Sequence, residues 1–362
     1  MIQKSIAAVY PFLRSHTEAI TYIPIYFFIS FTDLILKLRH APAWQNGTLV
    51  ENHNLLMAFQ YFNNEQSRIL QFLVPEALHR IFDTSIITSY AIARLAFVFL
   101  AFVVFHYFLR KWFSPIASFG GVMILSSALM VSFLIHDLQE SAPLLMLLFI
   151  LGLWAIREEK DGLFCLFMLL GGGMTNETML VLPLGYFLYR VRSLKFTHLL
   201  RTGIRTVLLA APAFIAQGTL RYINRFQPHL GGAFHWPDNI QGIWAELTFP
   251  YQAIFNGEFI YLFLVFSIFW ILAVIGLFKS PLFFRRVFWI TPFFLAANLI
   301  TGKINESRQM IPLGFILIPM ALFIMVPEAA GAVKESQPQA AQEPAATEQI
   351  AADSLPVPTD AD

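Results

Sequence analysis

Long apolar runs recur through most of this chain, and their lengths limit what it can fold into. A helix needs roughly 20 residues to cross the hydrocarbon core of a bilayer. Runs of about this length, or somewhat shorter, occupy 19–37, 84–109, 115–135, 142–156, 200–220, 259–278, 287–301 and 311–326. A further apolar region at 162–189 is interrupted by polar residues. The pattern predicts an all-α, polytopic membrane protein.

The composition supports this fold class. Of the 362 residues, 57% are hydrophobic and only 13% are charged, whereas soluble globular domains carry about 25% charged residues. The formal net charge of +1 argues against a nucleic-acid binder, because that function needs a concentrated basic face. Cys165 is the only cysteine, so the chain can form neither an internal disulfide nor a cysteine-based metal site.

A glycine-rich stretch at 171–178, Gly-Gly-Gly-Met-Thr-Asn-Glu-Thr, interrupts the region 162–189. That region forms either one long helix with a polar middle or two short helices that meet at a bend. Lysine and arginine gather in cytoplasmic loops. If the region forms two short helices, fifteen lysine and arginine residues lie inside and eight lie outside; if it forms one long helix, ten lie inside and thirteen lie outside. The charges therefore predict a short broken pair, about ten transmembrane helices, and both termini in the cytoplasm.

This topology places segment 38–83 and the loop 221–257 on the outer face of the membrane. Within segment 38–83, Leu55, Phe59 and Phe62 recur at helical spacing, which predicts amphipathic helices on the membrane surface. From residue 327 onward the chain is rich in Ala, Glu, Gln and Pro. We therefore expect a transmembrane domain at 1–326 and a disordered cytoplasmic tail at 327–362.

Polar residues on the predicted outer face are the candidates for a functional site. They are Glu51, His53, Glu65, Arg68, His136, Asp137, Glu140, Asn176, Glu177, Asn305, Glu306 and Arg308. Carboxylates at membrane depth are unfavourable unless they are paired or face water, so such residues indicate a function. The same residue types also cap helices and occupy first turns, and that structural interpretation stays open for each Asn-Glu pair.

The types of these residues suit two kinds of chemistry, acid–base catalysis and phosphate binding, and metal binding is considered as a third. Glu51, just outside the first span, could act as a general base or could be a first-turn charge on a solvated helix. Arg68 or Arg308 could make a forked contact to a phosphate. His136 and its acidic neighbours lack a second histidine at ligand spacing, so we predict no metal site. We expect no cofactor.

The order of these features resembles the C-type superfamily of integral membrane glycosyltransferases. The run 173–180 is similar to the Thr-Lys-Glu-Thr type of bend in that family, although Asn176 stands where a lysine is common. The resemblance implies transfer of a sugar from a polyprenyl-phosphate carrier to an acceptor on the outer face, with Glu51 as the catalytic residue. Glu51 is followed by Asn52, where the family often has an acidic pair. The expected partners are the lipid-linked sugar and membrane lipids; the acceptor stays open.

Two other classes of function remain possible. In a transporter or lipid flippase, broken helices line a site near the midplane. In a non-catalytic scaffold, dispersed carboxylates face water. A transferase instead requires Glu51, Glu177 and Arg308 to converge in one outer cavity. Because the chain shows no eukaryotic targeting feature, the expected location is a bacterial inner membrane.

Overall fold

The computed structural model describes residues 17–61, 64–135, 139–225, 235–249, 251, 259–303 and 306–326, and in these residues the regular structure is helical, with no strand. The α-helices are α1 (Thr17–His40), α2 (Pro42–Gln45), α3 (Thr48–Met57), α4 (Leu70–Phe82), α5 (Ile86–Leu109), α6 (Pro115–Ile135), α7 (Ala142–Arg157), α8 (Asp161–Met168), α9 (Leu182–Arg190), α10 (Phe196–Ile223), α11 (Trp236–Thr248), α12 (Ile260–Phe266), α13 (Phe269–Gly276), α14 (Leu282–Val287), α15 (Ile290–Thr301) and α16 (Gly314–Met325). The predicted tail at 327–362 lies outside the described residues.

Six helical stretches in the described part of the chain are long and apolar enough to cross a membrane, as expected for an integral membrane protein. They are α1, α5, the first part of α6, α10, α14 together with α15, and a 3₁₀ turn at Ser307–Leu313 together with α16. α7 is apolar but shorter. The first predicted span lies within α1, and the span predicted at 200–220 lies within α10.

Two sequence predictions of continuous helices are wrong. The apolar region 259–278 is split, because α12 ends at Phe266 and Ser267 takes a φ of 45° before α13 begins. In segment 38–83, α3 ends at Met57 and Phe59 takes a φ of 56°. Residues with a Cβ rarely adopt this left-handed conformation, which interrupts the helical hydrogen bonds. The spacing of Leu55 and Phe59 therefore does not mark one helix face.

The core is built around α7 and α16, which are buried along most of their length. Phe315 of α16 contacts Phe105 of α5 and Phe149 of α7, with ring centroids 5.0 and 6.3 Å apart. α13 packs tightly on α16 because Gly276 has no side chain; a Cβ there would lie 2.2 Å from the carbonyl oxygen of Met320. Large apolar side chains of α10, such as Leu208, are exposed, as expected for a helix that faces lipid.

A line of polar side chains runs along α1 at steps of three or four residues, which places them on one helix face. It consists of Glu18, Tyr22, Tyr26, Ser30, Asp33 and Lys37. Arg94 of α5 pairs with Asp33 through contacts of 2.9 and 3.3 Å, and both side chains are buried. Nearer the start of α1, the Tyr26 hydroxyl lies 2.7 Å from Nδ1 of His106. Polar contacts thus join α1 to α5 at two levels.

α8 and α9 form a hairpin. The chain leaves α8 through a π-helical turn, Leu169–Gly173, and returns to α9 through a 3₁₀ turn, Glu177–Val181. The two open ends of the hairpin meet, because the Tyr186 hydroxyl donates to Asp161 at 3.0 Å and Arg190 lies 3.4 Å from the same carboxylate. The polar middle of this region is therefore a bend between short helices.

Charged contacts gather at two opposite ends of the molecule. At one, the basic end, Arg205 pairs with Asp161. At the other, the polar end, Nη2 of Arg221 lies 3.6 Å from Glu177. Both arginines belong to α10, so this helix runs from the basic end to the polar end. The bend of the hairpin lies at the polar end.

Candidate functional site

Arg68 lies at the polar end, between segment 38–83 and the hairpin. It follows a 3₁₀ turn, Asn64–Ser67, and only 10% of its side chain is exposed. Its Nε and Nη2 lie 3.3 and 3.0 Å from the two carboxylate oxygens of Glu177. Its Nη1 donates to the side-chain oxygen of Gln139. The guanidinium thus makes a two-point contact with a carboxylate, a geometry that also suits a phosphate.

Backbone and cap contacts hold the bend against segment 38–83. The amide of Leu70, at the start of α4, donates to the carbonyl oxygen of Met174 at 3.0 Å. Oδ1 of Asn176 accepts a hydrogen bond from the amide of Thr178 at 3.0 Å, which caps the 3₁₀ turn. Asn176 therefore has the capping role that the sequence left open. Glu177, the next residue, faces the guanidinium.

α10 forms another side of the bend. A Cβ on Gly173 would lie 3.2 Å from Cα of Ala213, so glycine allows the two backbones to approach closely. The side-chain amide of Gln217 is oriented so that both its nitrogen and its oxygen have a partner. The nitrogen donates to the carbonyl oxygen of Gly173 at 3.1 Å, and the oxygen accepts from Nε of Arg221 at 3.2 Å. The side chain of Arg221 is 53% exposed. A second guanidinium therefore reaches Glu177 from the solvent side.

More charged groups surround this ion pair. Burial lowers the pKa of Arg68, but the negative charges of Glu177, Glu65 and Glu306 outweigh that effect and raise it. Nη2 of Arg308 lies 2.9 Å from the carboxylate of Glu306. The whole group, which we call the polar cluster, consists of Lys37, Glu65, Arg68, Glu140, Glu177, Arg221, Glu306 and Arg308.

The carboxylates of the polar cluster differ in their affinity for a proton. Burial raises the pKa of Glu177, but the charge of Arg68 and its hydrogen bonds prevail and lower the pKa to about 2. Burial also raises the pKa of Glu65, and the opposing charges of Arg68 and Arg308 do not cancel that shift. Glu177 is therefore suited to hold a guanidinium, and Glu65 is suited to accept a proton.

Glu140 links the polar cluster to the start of segment 38–83. Its Oε1 accepts from Nζ of Lys37 and from Nε1 of Trp44, each at 2.9 Å. A cavity of about 10 Å³, the room of a single water molecule, lies beside it. The cavity is lined by Leu70, Gln71, Pro75, Tyr90, Ala93, Arg94, Phe97, Glu140 and Leu144.

Glu51 makes no ion pair with a described member of the polar cluster. It is exposed in the first turn of α3, and no described residue forms an ion pair with it. His53 is buried, with Nε2 2.9 Å from Glu76 and Nδ1 3.2 Å from the Tyr90 hydroxyl. His136, Asp137 and Asn305 lie outside the described residues. Of the predicted site residues, the structure brings together Glu65, Arg68, Glu140, Glu177, Glu306 and Arg308.

Sequence reasoning misses two members of the polar cluster, Lys37 and Arg221. Lys37 comes four residues after Asp33 on the polar line of α1, so the helical period of polar residues in an apolar run is the signal that finds it. Arg221 likewise follows Gln217 by four residues on one face of α10. Both are polar residues near the end of a span, where they are easily taken for interfacial anchors.

Among the described residues, no group of three or more His, Cys, Asp or Glu side chains is placed to hold a metal ion. Comparisons with protein-family models, with curated proteins and with solved structures gave no match. The polar cluster itself is therefore the basis for assigning a function.

Proposed function

We propose that this protein is an integral membrane glycosyltransferase that moves a sugar from a polyprenyl-phosphate carrier to an acceptor. The observation that carries the proposal is the convergence of three guanidinium groups, from Arg68, Arg221 and Arg308, with the carboxyl group of Glu65 at one end of the molecule. Sugar transfer from a lipid phosphate needs one base and one cationic contact for the departing phosphate.

The proposed topology has about ten membrane crossings, with the polar end outside and both termini in the cytoplasm of a bacterial inner membrane. The hairpin supports this count, because its two open ends meet at Asp161 and its bend lies beside Arg68. The basic end also gathers the arginines expected inside, such as Arg205 and Arg286. In this orientation the polar cluster faces the compartment where lipid-linked sugars are consumed.

The guanidinium groups have distinct places in the proposed reaction. Arg68 is held by Glu177 and Gln139, so it forms a fixed positive centre. Arg221 is half exposed: Gln217 accepts from its Nε and its Nη2 lies 3.6 Å from Glu177, so the solvent side of its guanidinium is left to contact a phosphate. When the sugar leaves, the phosphate gains a negative charge, and these cations stabilise that charge more in the transition state than in the bound donor.

Glu65 is the proposed general base. Its carboxylate takes the proton of an acceptor hydroxyl, and the acceptor oxygen forms a bond to the anomeric carbon of the sugar. The bond from that carbon to the phosphate oxygen breaks, and its electron pair leaves with the lipid phosphate. Glu51, which the family resemblance favours for this role, is exposed and forms no ion pair with a described guanidinium group. The carboxylate and the cations must act on one sugar, which favours Glu65.

The direct test uses purified protein in lipid vesicles with a labelled polyprenyl-phosphate sugar, and it scores release of the lipid phosphate. We expect release above that in protein-free vesicles, and its loss in an Arg68→Gln, Arg221→Gln double variant that inserts normally. The assay is run with hexose donors and with pentose donors, and native membrane extract is supplied as a source of acceptor. Release no greater than in protein-free vesicles under all these conditions would overturn the proposal.

A transporter of lipid-linked glycans is the second candidate, because α1 and α5 carry a buried ion pair, Asp33 and Arg94, inside candidate spans. Ionisable residues within spans often mark transport pathways. The same vesicles separate the two functions. A transporter moves the labelled lipid from one leaflet to the other and leaves its sugar–phosphate bond intact.

A further inference from the structure

The helix α11 carries a face of exposed apolar side chains. Trp236, Ile240, Trp244 and Leu247 follow one another at steps of four, four and three residues, so they lie on one face of the helix. All four are exposed, and Trp244 and Leu247 are each 70% exposed. Asp238 and Gln241 are also exposed. Asp238 follows Trp236 by two residues and Gln241 follows Ile240 by one, and each residue of an α-helix turns by about 100°, so both lie on a different side of the helix from the apolar face.

α11 is nevertheless firmly attached to the polar end. In its first turn, the buried side chain of Asn239 donates to the carbonyl oxygens of Leu299 and Gly302, at 2.8 and 2.7 Å. Near its last turn, the carboxylate of Glu246 accepts from the amides of Phe259 and Ile260, at 2.9 and 3.2 Å. A Cβ on Gly242, between these anchors, would collide with the ring of Phe259.

These attachments fix the direction of the helix. Its beginning is bound to the end of α15 and its end is bound to the start of α12, and both of those points lie at the same end of the bundle. α11 therefore lies across the end of the membrane helices and does not run alongside them. Ile300, beside the start of α11, is itself exposed, so the apolar face of α11 continues an apolar surface of α15.

We infer that α11 docks on the membrane, with Trp236, Ile240, Trp244 and Leu247 in the lipid interface and Asp238 and Gln241 toward water. A helix that lies flat at the end of a membrane bundle, with one apolar and one polar side, has the form of an interfacial helix. Tryptophan is enriched at this depth of a bilayer. The partner is the lipid surface itself, and membrane docking of α11 holds whatever reaction the polar cluster serves.

The test places single cysteines on the two faces of α11 in a Cys165→Ser background. Spin labels are attached at Ile240→Cys, Trp244→Cys and Leu247→Cys on the apolar face and at Asp238→Cys and Gln241→Cys on the polar face. In vesicles, the collision rate of each label is measured with oxygen, which partitions into lipid, and with a water-soluble nickel complex. We expect the oxygen-to-nickel accessibility ratio to be roughly threefold or more higher at the apolar positions.

Two outcomes would overturn the inference. Free access of the nickel complex at all five positions would show that the apolar face is in water. Protection of the apolar positions from both reagents would show that another protein surface covers them, such as a second copy of this chain. A measurement without cysteines checks the result: brominated lipids should quench tryptophan fluorescence, and a Trp236→Phe, Trp244→Phe variant should lose a substantial part of that quenching.

Discussion

Arg68 and Glu177 lie 109 residues apart in the chain, yet contacts of 3.0 and 3.3 Å join the guanidinium to both oxygens of the carboxylate. The pair connects the segment after α3 to the bend of the hairpin. The backbone hydrogen bond from Leu70 to Met174 joins the same two parts of the chain. Segment 38–83 and the hairpin therefore form one structural unit at the polar end.

We expect Arg68→Gln or Glu177→Gln alone to destabilise the protein by about 2–4 kcal/mol, because each leaves the partner charge without its counter-ion. The double variant should lose less than the sum of the two, since it removes both charges. Thermal unfolding in detergent measures the three variants. Arg192→Gln is the matched control, because Arg192 pairs with Glu159 at the surface and should contribute under about 0.5 kcal/mol. If the destabilisation of the double variant equals the sum for the two single variants, Arg68 and Glu177 are not energetically coupled.

Stability should also fall in acid because of Glu177. Its pKa is lowered from 4.5 to about 2 in the folded protein, so its contribution is present above pH 4.5 and is lost as the pH falls from 4.5 toward 2. The contribution is at most about 3 kcal/mol, and less in practice because the carboxylate is partly exposed. As the pH is lowered from about 6 to about 3, the unfolding temperature of the unmodified chain should fall more steeply than that of Glu177→Gln. Parallel curves would refute the assignment.

Two neutral substitutions distinguish the candidate bases. We expect Glu65→Gln to reduce the rate of lipid-phosphate release by roughly 10²- to 10⁴-fold, the usual contribution of a general base. Glu51→Gln should keep the rate within about twofold, because Glu51 is exposed and pairs with no described guanidinium group. The measurement is kcat with purified, thermally stable protein in vesicles. The opposite pattern would restore Glu51 as the base and remove Glu65 from the mechanism.

The contact between α13 and α16 gives a prediction about packing. Gly276→Ala should destabilise the protein by about 2 kcal/mol or more, because the new Cβ would lie 2.2 Å from the carbonyl oxygen of Met320 and a backbone must move. Gly120→Ala is the control, since nothing lies within 4 Å of a Cβ at that helical position. It should be neutral or slightly stabilising. Unfolding temperatures that change equally in both variants would show that α13 and α16 are not in close contact.

The membrane fold class and the bend at 171–178 could be predicted from the sequence, because hydrophobic length and glycine content are local properties. The break at Ser267 could not, since neither proline nor glycine marks it. The predicted count of ten crossings stays a prediction, because several of the helices are shorter than a bilayer is thick.

For the candidate site, residue types and a common face were predictable, and pairings were not. Residue type and predicted face mark both Glu177 and Arg68 as candidates, but their contact depends on how the hairpin packs against segment 38–83. Glu51 was favoured by its position after the first span, yet α3 presents it to the exterior. A sequence motif can fix which residues are available, whereas the tertiary fold decides which of them meet.

The short hairpin also bears on how this protein enters a membrane. With the π-helical and 3₁₀ turns included, the two arms of the hairpin cover 161–173 and 177–190, so each extends roughly 20 Å, less than the roughly 30 Å of the hydrocarbon core. Each arm is therefore shorter than the roughly 20 residues that an isolated helix needs to cross a bilayer. The contacts that complete the hairpin come from Arg205 and Gln217, which are synthesised later. We therefore expect the hairpin to be stable in the membrane only once α10 has packed against it.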